Sequence, residues 1–429
     1  MSTPFFHSLA ALLQGPEHAH GHAELMCAQF PRSGQPNWKY AWLDQLSQHQ
    51  FKQAPFGCDG IDFAALAHIP SPRLVFVNGL YRADLSKTSA IAADVCCEIL
   101  RPPPIDLAES PLLHAVAPSA IATFFTRLNL IMADTCVRIR VRAGAQVSSP
   151  LHLVNLSTPA DALYTWHHQY HIHLEPHASL QCIEHHCDLG LPSHYANTLA
   201  QITLEPQAQL NHLRIMATAH AMTSVMAANA VLAEKSHYHR TDIDVSTGSS
   251  LFTLRSRLEG EGTRIDANGV LISDKNAYID GQLQIEHAAK DTACNLLWRG
   301  IANQESALAL TAQIHILANA DRSDAHLSNK NLLLSPRARI QTQPILVIDA
   351  DNVRASHGAT IGQLDPRAIF YLRSRGIAHD QAVQILGAAF SQAPLMALAE
   401  HSKHWAQHYL AQAIERTCNE PATSLTELS

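Results

Sequence analysis

Residues 167–188 read HHQYHIHLEPHASLQCIEHHCD: two stretches of alternating side chains joined by a short turn. Tyr170, Ile172 and Leu174 point one way before the turn, and Cys182, Glu184 and His186 share a face after it. A period of two is the mark of a β-strand, so the stretch predicts strand, turn, strand. The same phrase returns along the chain as VRAGAQV (141–147), LEPHASL (174–180), LEPQAQL (204–210), VSTGSSL (245–251) and LSPRARI (334–340). Each runs from an apolar residue through a turn of Glu, Pro, Gly or Ser to a small residue and a second apolar one. The copies at 141, 174 and 204 lie roughly thirty residues apart, the scale at which solenoids reveal themselves. Strand–turn–strand units cannot bury their faces singly and must stack, as a β-helix or a large sandwich. Few of the long gaps hold a plausible crossover helix, which favours the β-helix.

On either side the pattern changes. Residues 1–135 read as mostly helical, with Phe6, Leu9, Leu12 and Leu13 at helix spacing and breaks at PRSGQP (31–36) and RPPP (101–104). Leu74–Val77, ending in the turn dipeptide Asn78-Gly79, is the strand candidate there. Residues 136–355 form the β-core. From 356 to 429 the chain reads as helical again: Asp365 is a suitable N-cap with Pro366 at the first helical position, and Gly376 is placed to end that helix. Leu398, Trp405, Tyr409, Leu410 and Ile414 mark an amphipathic stripe, and the tail after Cys418 reads as frayed.

Composition narrows the function. Apolar residues make up 47% of 429, enough for a large core. A net charge of −7 argues against a nucleic-acid binder, which needs clustered cations to neutralise phosphates. No run of apolar residues is long enough to span a bilayer, and the opening MSTPFFHSLAALLQG lacks a cationic leader, so a cytoplasmic protein is expected. Nine cysteines in so long a chain do not read as a disulfide framework. Cys96 and Cys97 lie in SAIAADVCCEIL, read as helix and core packing; Cys294 reads as buried strand.

Chemistry-bearing motifs are few. There is no GxxxxGK[ST] loop and no GxGxxG after a strand, so if ATP matters to this protein a partner must hydrolyse it. There is no GxSxG elbow, and Ser356 and His357 point to opposite faces of an extended chain, which excludes a nucleophile–base pair. The 28 histidines stand out against 30 Lys plus Arg. His171 and His173 share one face, and Cys182, Glu184 and His186 share another, so a metal-dependent β-solenoid or cupin-like enzyme is one reading. A histidine-rich solvent face is the other. A carbohydrate-active β-helix would need paired carboxylates, and no convincing pair is present. His357 lies in NVRASHGATIGQLDPRAIFYLRSRGI (352–377), after the strand PILVIDADNV and before a turn, GATIG, into the capped helix. A ligand or interface histidine and a solvated one both fit that position.

SHGATIGQLDPRAIFYLRSRGI resembles the C-terminal signature of the SufB/SufD family, in the form of its SufD branch. NKNLLLSPRARIQTQPILVIDADNV (329–353), LVFVNGLYRADLS (74–86), NWKYAWL (37–43) and RLNLIMADTCVRIRVRAGAQVSSPLHLVNL (127–156) resemble further family segments, in the same order and over nearly the whole chain. The resemblance implies a right-handed parallel β-helix flanked by N-terminal and C-terminal helical domains, and a noncatalytic scaffold of the SUF iron–sulfur cluster machinery. It implies edge-to-edge pairing with a SufB-like subunit and docking of a SufC-like ATPase on the C-terminal helical region, where Tyr371, Arg373 and Gly376 are expected to shape the dock. A homodimer is expected to be possible when SufB is absent. By motif position His357 would be a ligand of a transient iron–sulfur cluster shared with SufB, with no cofactor held tightly by the lone chain. Imidazole suits borderline iron and gives up a cluster more readily than an all-thiolate shell. Many relatives carry a cysteine two residues earlier, where this chain has Ala355.

Overall fold

The computed structural model describes residues 3–13, 41–54, 63–101, 120–133, 135–159, 162–190, 194–218 and 222–419. The proline breaks at 31–36 and 102–104, the first four residues of NWKYAWL and the tail beyond Asn419 lie outside them. The N-terminal part holds α1 (Pro4–Leu12), α2 (Ala41–Gln48), α3 (Ala120–Met132) and the short strands β1 (Lys52–Gln53), β2 (Arg73–Val77), β3 (Leu80–Tyr81) and β4 (Val95–Leu100). The coils follow as β5 (Thr135–Val141), β6 (Gln146–Ser157), β7 (Tyr164–Leu174), β8 (Ser179–Asp188), β9 (Tyr195–Leu204), β10 (Gln209–Ala217), β11 (Thr223–Leu232) and β12 (His237–Asp244). They continue as β13 (Ser249–Leu258), β14 (Arg264–Ser273), β15 (Tyr278–His287), β16 (Ala293–Ala302), β17 (Ala307–Ile316), β18 (Asp324–Leu333), β19 (Arg339–Ile348) and β20 (Arg354–Gly362). The described residues end in three α-helices: α4 (Pro366–Ser374), α5 (His379–Ser391) and α6 (Glu400–Asn419).

Odd-numbered strands from β5 to β19 stack in parallel in one sheet and even-numbered strands from β6 to β20 in the other. This is the expected parallel β-helix, two strands to a coil. The apolar rows are in register from coil to coil: Leu174 faces Leu204, Leu204 faces Leu232, and Leu232 faces Leu258. One closed interior therefore runs the length of the helix, including Val137, Ile172, Leu210, Leu254, Ile285 and Leu327.

The repeated phrase has a backbone cause. Gly144, His177, Gln207, Lys235, Gly262, Asp291 and Arg322 all adopt positive φ at the same corner of successive coils. The corners are stitched together, His177 N–H to Pro206 O (3.0 Å), Gln207 N–H to Glu234 O (2.8 Å) and Lys235 N–H to Glu261 O (2.9 Å). The left-handed turn costs a non-glycine residue some strain, and stacking recovers it through satisfied backbone groups. The phrases at 245–251 and 334–340 sit at the opposite corner, so two kinds of turn underlie one apparent repeat.

Helices cover both outer faces. Phe5 and Leu9 of α1, Leu43 and Leu46 of α2 and Phe125 and Leu128 of α3 pack on Tyr195, Val225 and Leu251 of the odd sheet. Thr3 caps α1, its Oγ1 accepting from the Phe6 N–H at 3.4 Å. Leu410 and Ile414 of α6 are buried and Trp405 and Tyr409 half-buried against Ile183, Ile215, Ile243 and Val270 of the even sheet, as the stripe predicts.

Two local expectations fail. Val95–Leu100 is a strand, not a helix: it pairs antiparallel with β5, Cys97 opposite Ile139, leaving Cys96 exposed and Cys97 half-buried against the core. A short apolar run is ambiguous between helix and strand, and a vacant sheet edge decides it. GATIG is likewise no turn but the second half of β20, paired residue for residue with β18 from Asp324↔Arg354 to Leu332↔Gly362. Leu74–Val77 does form a strand and turns back through Asn78-Gly79, both with positive φ. With β2 in one sheet and β4 in the other, the N-terminal part supplies strands to both.

Candidate functional site

β20 ends the even sheet, and among the described residues only β18 pairs with it. Along β20 alternate residues turn toward the interior: Ala355 opposite Ala325 and His357 opposite Leu327, both partners core residues. His357 is therefore in the inward row of the last layer, where no further coil covers it, and it is exposed. Ser356 faces the other way and its Oγ lies 2.8 Å from His326 Nδ1, so Ser356 and His357 do not meet. Around them the last strands leave apolar surface open, Ile348 at 43% and Ile361 at 44% exposure.

The next element is α4. Asp365 caps it, Oδ1 accepting from the Arg367 N–H at 2.9 Å, with Pro366 in the first turn. Gly376, at φ +86°, follows the helix end. No residue of α4 is buried. Phe370 (73%) and Tyr371 (57%) are exposed, and the Arg375 guanidinium lies 5.2 Å from the Tyr371 ring centre. Arg373 is exposed as well. Tyr371 and Arg373 thus lie on one helix with no buried residue and Gly376 just past its end, all three following on the strand of His357.

The histidine-rich strands do not build the metal centre considered from sequence. His171 and His173 turn outward from β7, His173 Nε2 lying 3.1 Å from Glu205 Oε1. Cys182, Glu184 and His186 turn inward from β8 and are buried. The two sets are on opposite faces of the wall, because alternation in β7 and β8 puts their shared faces outside and inside respectively. Among the described residues no three His, Cys, Asp or Glu side chains converge to hold a metal ion.

Glu184 instead anchors a buried polar chain. His186 Nε2–H donates to Glu184 Oε1 (2.6 Å) and His212 Nε2 lies 3.2 Å from Glu184 Oε2. Arg240 Nη1 donates to Tyr238 Oη (3.1 Å), and Tyr238 Oη is 3.2 Å from His212 Nδ1. The Tyr238 hydroxyl proton can go only to His212 Nδ1, so His212 carries its proton on Nε2 and gives that hydrogen bond to Glu184 while neutral. Arg240 forks onto Asp242 with two contacts of 2.8 Å, and Arg214 Nε reaches Asp242 Oδ1. In register, Glu184, Arg214 and Asp242 form a vertical acid–base–acid ladder inside the coils.

Burial pushes both carboxyls toward the neutral form, and their partners overcome it. Glu184 is held well below the ordinary range by His186 and His212, and Asp242 at about 2 by Arg240 and Arg214. His212, His167 and His168 are pushed down by burial, the last two to about 3. One coil further the interior turns apolar. Gly269 stands where a Cβ would lie 2.3 Å from Trp298, whose ring stacks on Phe252 at 5.5 Å. His212, Arg214, Tyr238, Arg240 and Asp242 were not singled out from sequence. Their signal is polar residues recurring about 28 positions apart at the same strand position.

The family model described as SUF system FeS cluster assembly, SufBD core domain, matches residues 156–390. The chain is 28% identical over 374 residues to the iron–sulfur cluster assembly protein SufD of Escherichia coli (strain K12), covering 86% of this chain and 85% of that one. It is 26% identical over 398 residues to an iron–sulfur cluster assembly SufBD family protein of Synechocystis, covering 88% and 87%. A SufBD family protein of Pyrococcus horikoshii is 29% identical over 167 residues, 38% of this chain and 36% of its own.

Proposed function

The chain belongs to the SufBD core family of the SUF iron–sulfur cluster assembly system and is of SufD type, and from that premise we propose that it is a noncatalytic scaffold subunit. It pairs through the last coil with a SufB-like subunit, docks a SufC-like ATPase on the helices beyond that coil, and contributes His357 to the shell of a nascent cluster. ATP hydrolysis belongs to the SufC-like partner. The observation that carries the reading is the placement of His357, an inward-row residue left exposed on a strand with one unpaired edge. Main-chain N–H and C=O groups on that edge are free to take a partner strand, and Ile348 and Ile361 add apolar contact. A cluster assembled there would be shared between two chains, with a neutral imidazole as one borderline ligand among thiolates from the partner. With Ala355 two residues before His357, the soft ligands fall to the partner. Tyr371 and Arg373, on a helix with no buried residue of its own, and Gly376 just past its end belong to the ATPase dock.

The test is co-expression under anaerobic conditions with the SufB-like and SufC-like subunits, wild type beside His357→Ala, reading both complex formation and cluster absorbance. The expected result is a complex in both and a cluster in the wild type alone. Equal cluster content in both removes His357 from the ligand set; no complex in either overturns the scaffold reading.

A further inference from the structure

The last enclosed layer of the even sheet carries two asparagines among its inward residues, and each reaches up to one of the two end strands. Asn329 of β18 is 2% exposed, and its Nδ2 donates to Thr342 Oγ1 of β19 at 2.7 Å. Asn331, also 2% exposed, donates from Nδ2 to the Thr360 carbonyl of β20 at 3.1 Å. We propose that Asn331 is a positioning residue: it fixes the register of β20 and thereby the inward aim of His357. The functional half of this inference rests on the reading of His357 as a cluster ligand; the structural half does not.

The strand needs such a device. Register in a sheet is set where one face is buried, because a slip of one residue carries every side chain to the other face. β20 has no buried residue, so burial cannot choose between His357 and its neighbours Ser356 and Gly358 for the inward row. Gly358 and Gly362 add no packing, since a Cβ on either would meet nothing within 4 Å. Side-chain ties hold the first half of the strand, Arg354 Nη2 to Asp324 Oδ2 (3.0 Å) and Ser356 Oγ to His326 Nδ1 (2.8 Å), and both are exposed. Along residues 357–362, among the described residues, the side-chain hydrogen bond comes from Asn331.

Stability of the chain alone does not account for Asn331. Its Oδ1 is buried without a hydrogen-bond partner, as is that of Asn329, a cost that an apolar side chain of similar size would avoid. The layer below makes room for that oxygen. Gly300 of β16 lies beneath Asn331 in register, and a Cβ there would stand 2.3 Å from Asn331 Oδ1. Gly300, Asn331 and Thr360 thus link three successive strands of the even sheet. A strand glycine, itself unfavourable, admits an amide whose donor grips the next strand. Fixing register is the best-attested use of a buried polar group that costs stability.

Hydrogen–deuterium exchange on the full chain, with urea unfolding beside it, tests the lock. Asn331→Ala should leave the urea midpoint little changed and speed exchange along 354–362 by roughly five- to tenfold relative to the wild type. Gly300→Ala, two strands from His357, should do the same by displacing the Asn331 amide. In the Asn331→Ala background, where that amide is gone, it should add nothing; if Gly300→Ala does not fold, Asn331→Ala decides alone. In the complex co-expressed with the SufB-like and SufC-like subunits, Asn331→Ala should lose cluster absorbance while the complex still forms. Exchange is read on the lone chain, so it decides the positioning claim even where His357→Ala keeps its cluster and the ligand reading fails. Unchanged exchange along β20 in Asn331→Ala, or a lower midpoint with faster exchange in every strand, overturns the proposal. So does a full cluster in Asn331→Ala when His357→Ala has none.

Discussion

The early coils and the last coil of the β-helix place polar residues at equivalent inward positions and treat them in opposite ways. In β8, β10 and β12, Glu184, Arg214 and Asp242 project inward, are buried, and each leans on a neighbour of opposite charge or a histidine. In β20, His357 projects inward too, but among the described residues no further coil lies above it. Depth along the axis therefore sets what a side chain can do. A charge enclosed by coils is committed to its partners, because leaving them means standing bare in a low-dielectric interior. A residue in the uncovered layer has no such commitment and can change partners, which a shared site requires.

The sharpest way to break that contrast is acid. His167, His168 and His287 are held neutral by burial, at about 3, 3 and 4. Unfolded, each titrates near 6.5. The unfolded chain therefore binds more protons below that value, so stability is complete above about pH 6.5 and falls as pH drops toward the folded values. At pH 5.5 each group costs about 1.4 kcal/mol, together about 4 kcal/mol relative to neutral pH. Urea midpoints at pH 7.5 and 5.5 measure it. A flat profile between them would mean that the enclosed coils admit water and that the two regions do not differ.

The next largest effect is at the ladder. Asp242→Ala removes the carboxylate shared by Arg214 and Arg240 and leaves two buried guanidinium groups without it. A loss of about 3–5 kcal/mol is expected, with the unfolding m-value unchanged. A loss under 1 kcal/mol would show that the ladder is hydrated and that enclosure does not govern it.

How much of this was legible beforehand follows the same division. The β-helix was readable because its period-two alternation and its turns repeat locally, and the cap of α4 because Asp365-Pro366 is a local signal. His357 was readable only through its motif: on residue chemistry alone a solvated histidine fitted equally well. What pairing decides was not readable. Val95–Leu100 and Gly358–Gly362 became strands because a neighbouring edge was vacant, a fact held by β5 and β18 and not by the segments themselves. The rows 167–188 suggested a metal because two-residue spacing places side chains together within a strand. It does not say which side of the wall they face, and Glu184 met His212, 28 residues on, instead of His173.

The smallest expected effect sharpens the comparison most. His357→Ala should change stability of the isolated chain by no more than about 0.5 kcal/mol, the range of surface substitutions away from caps and networks. The residue is exposed and its neighbour Ser356 makes its own contact with His326. The ladder pairs that hold β20 to β18 are main-chain and survive truncation. Chemical denaturation and amide exchange across 354–362 read the two halves of the claim, global stability and local strand integrity. If both are unchanged while the complex loses its cluster, the effect of His357 lies in ligation and not in holding the last strand. A fall of more than 1 kcal/mol, or faster exchange along β20, would make His357 a structural residue of the last coil, and the opposition between a committed interior and an uncommitted end would fail where it matters most.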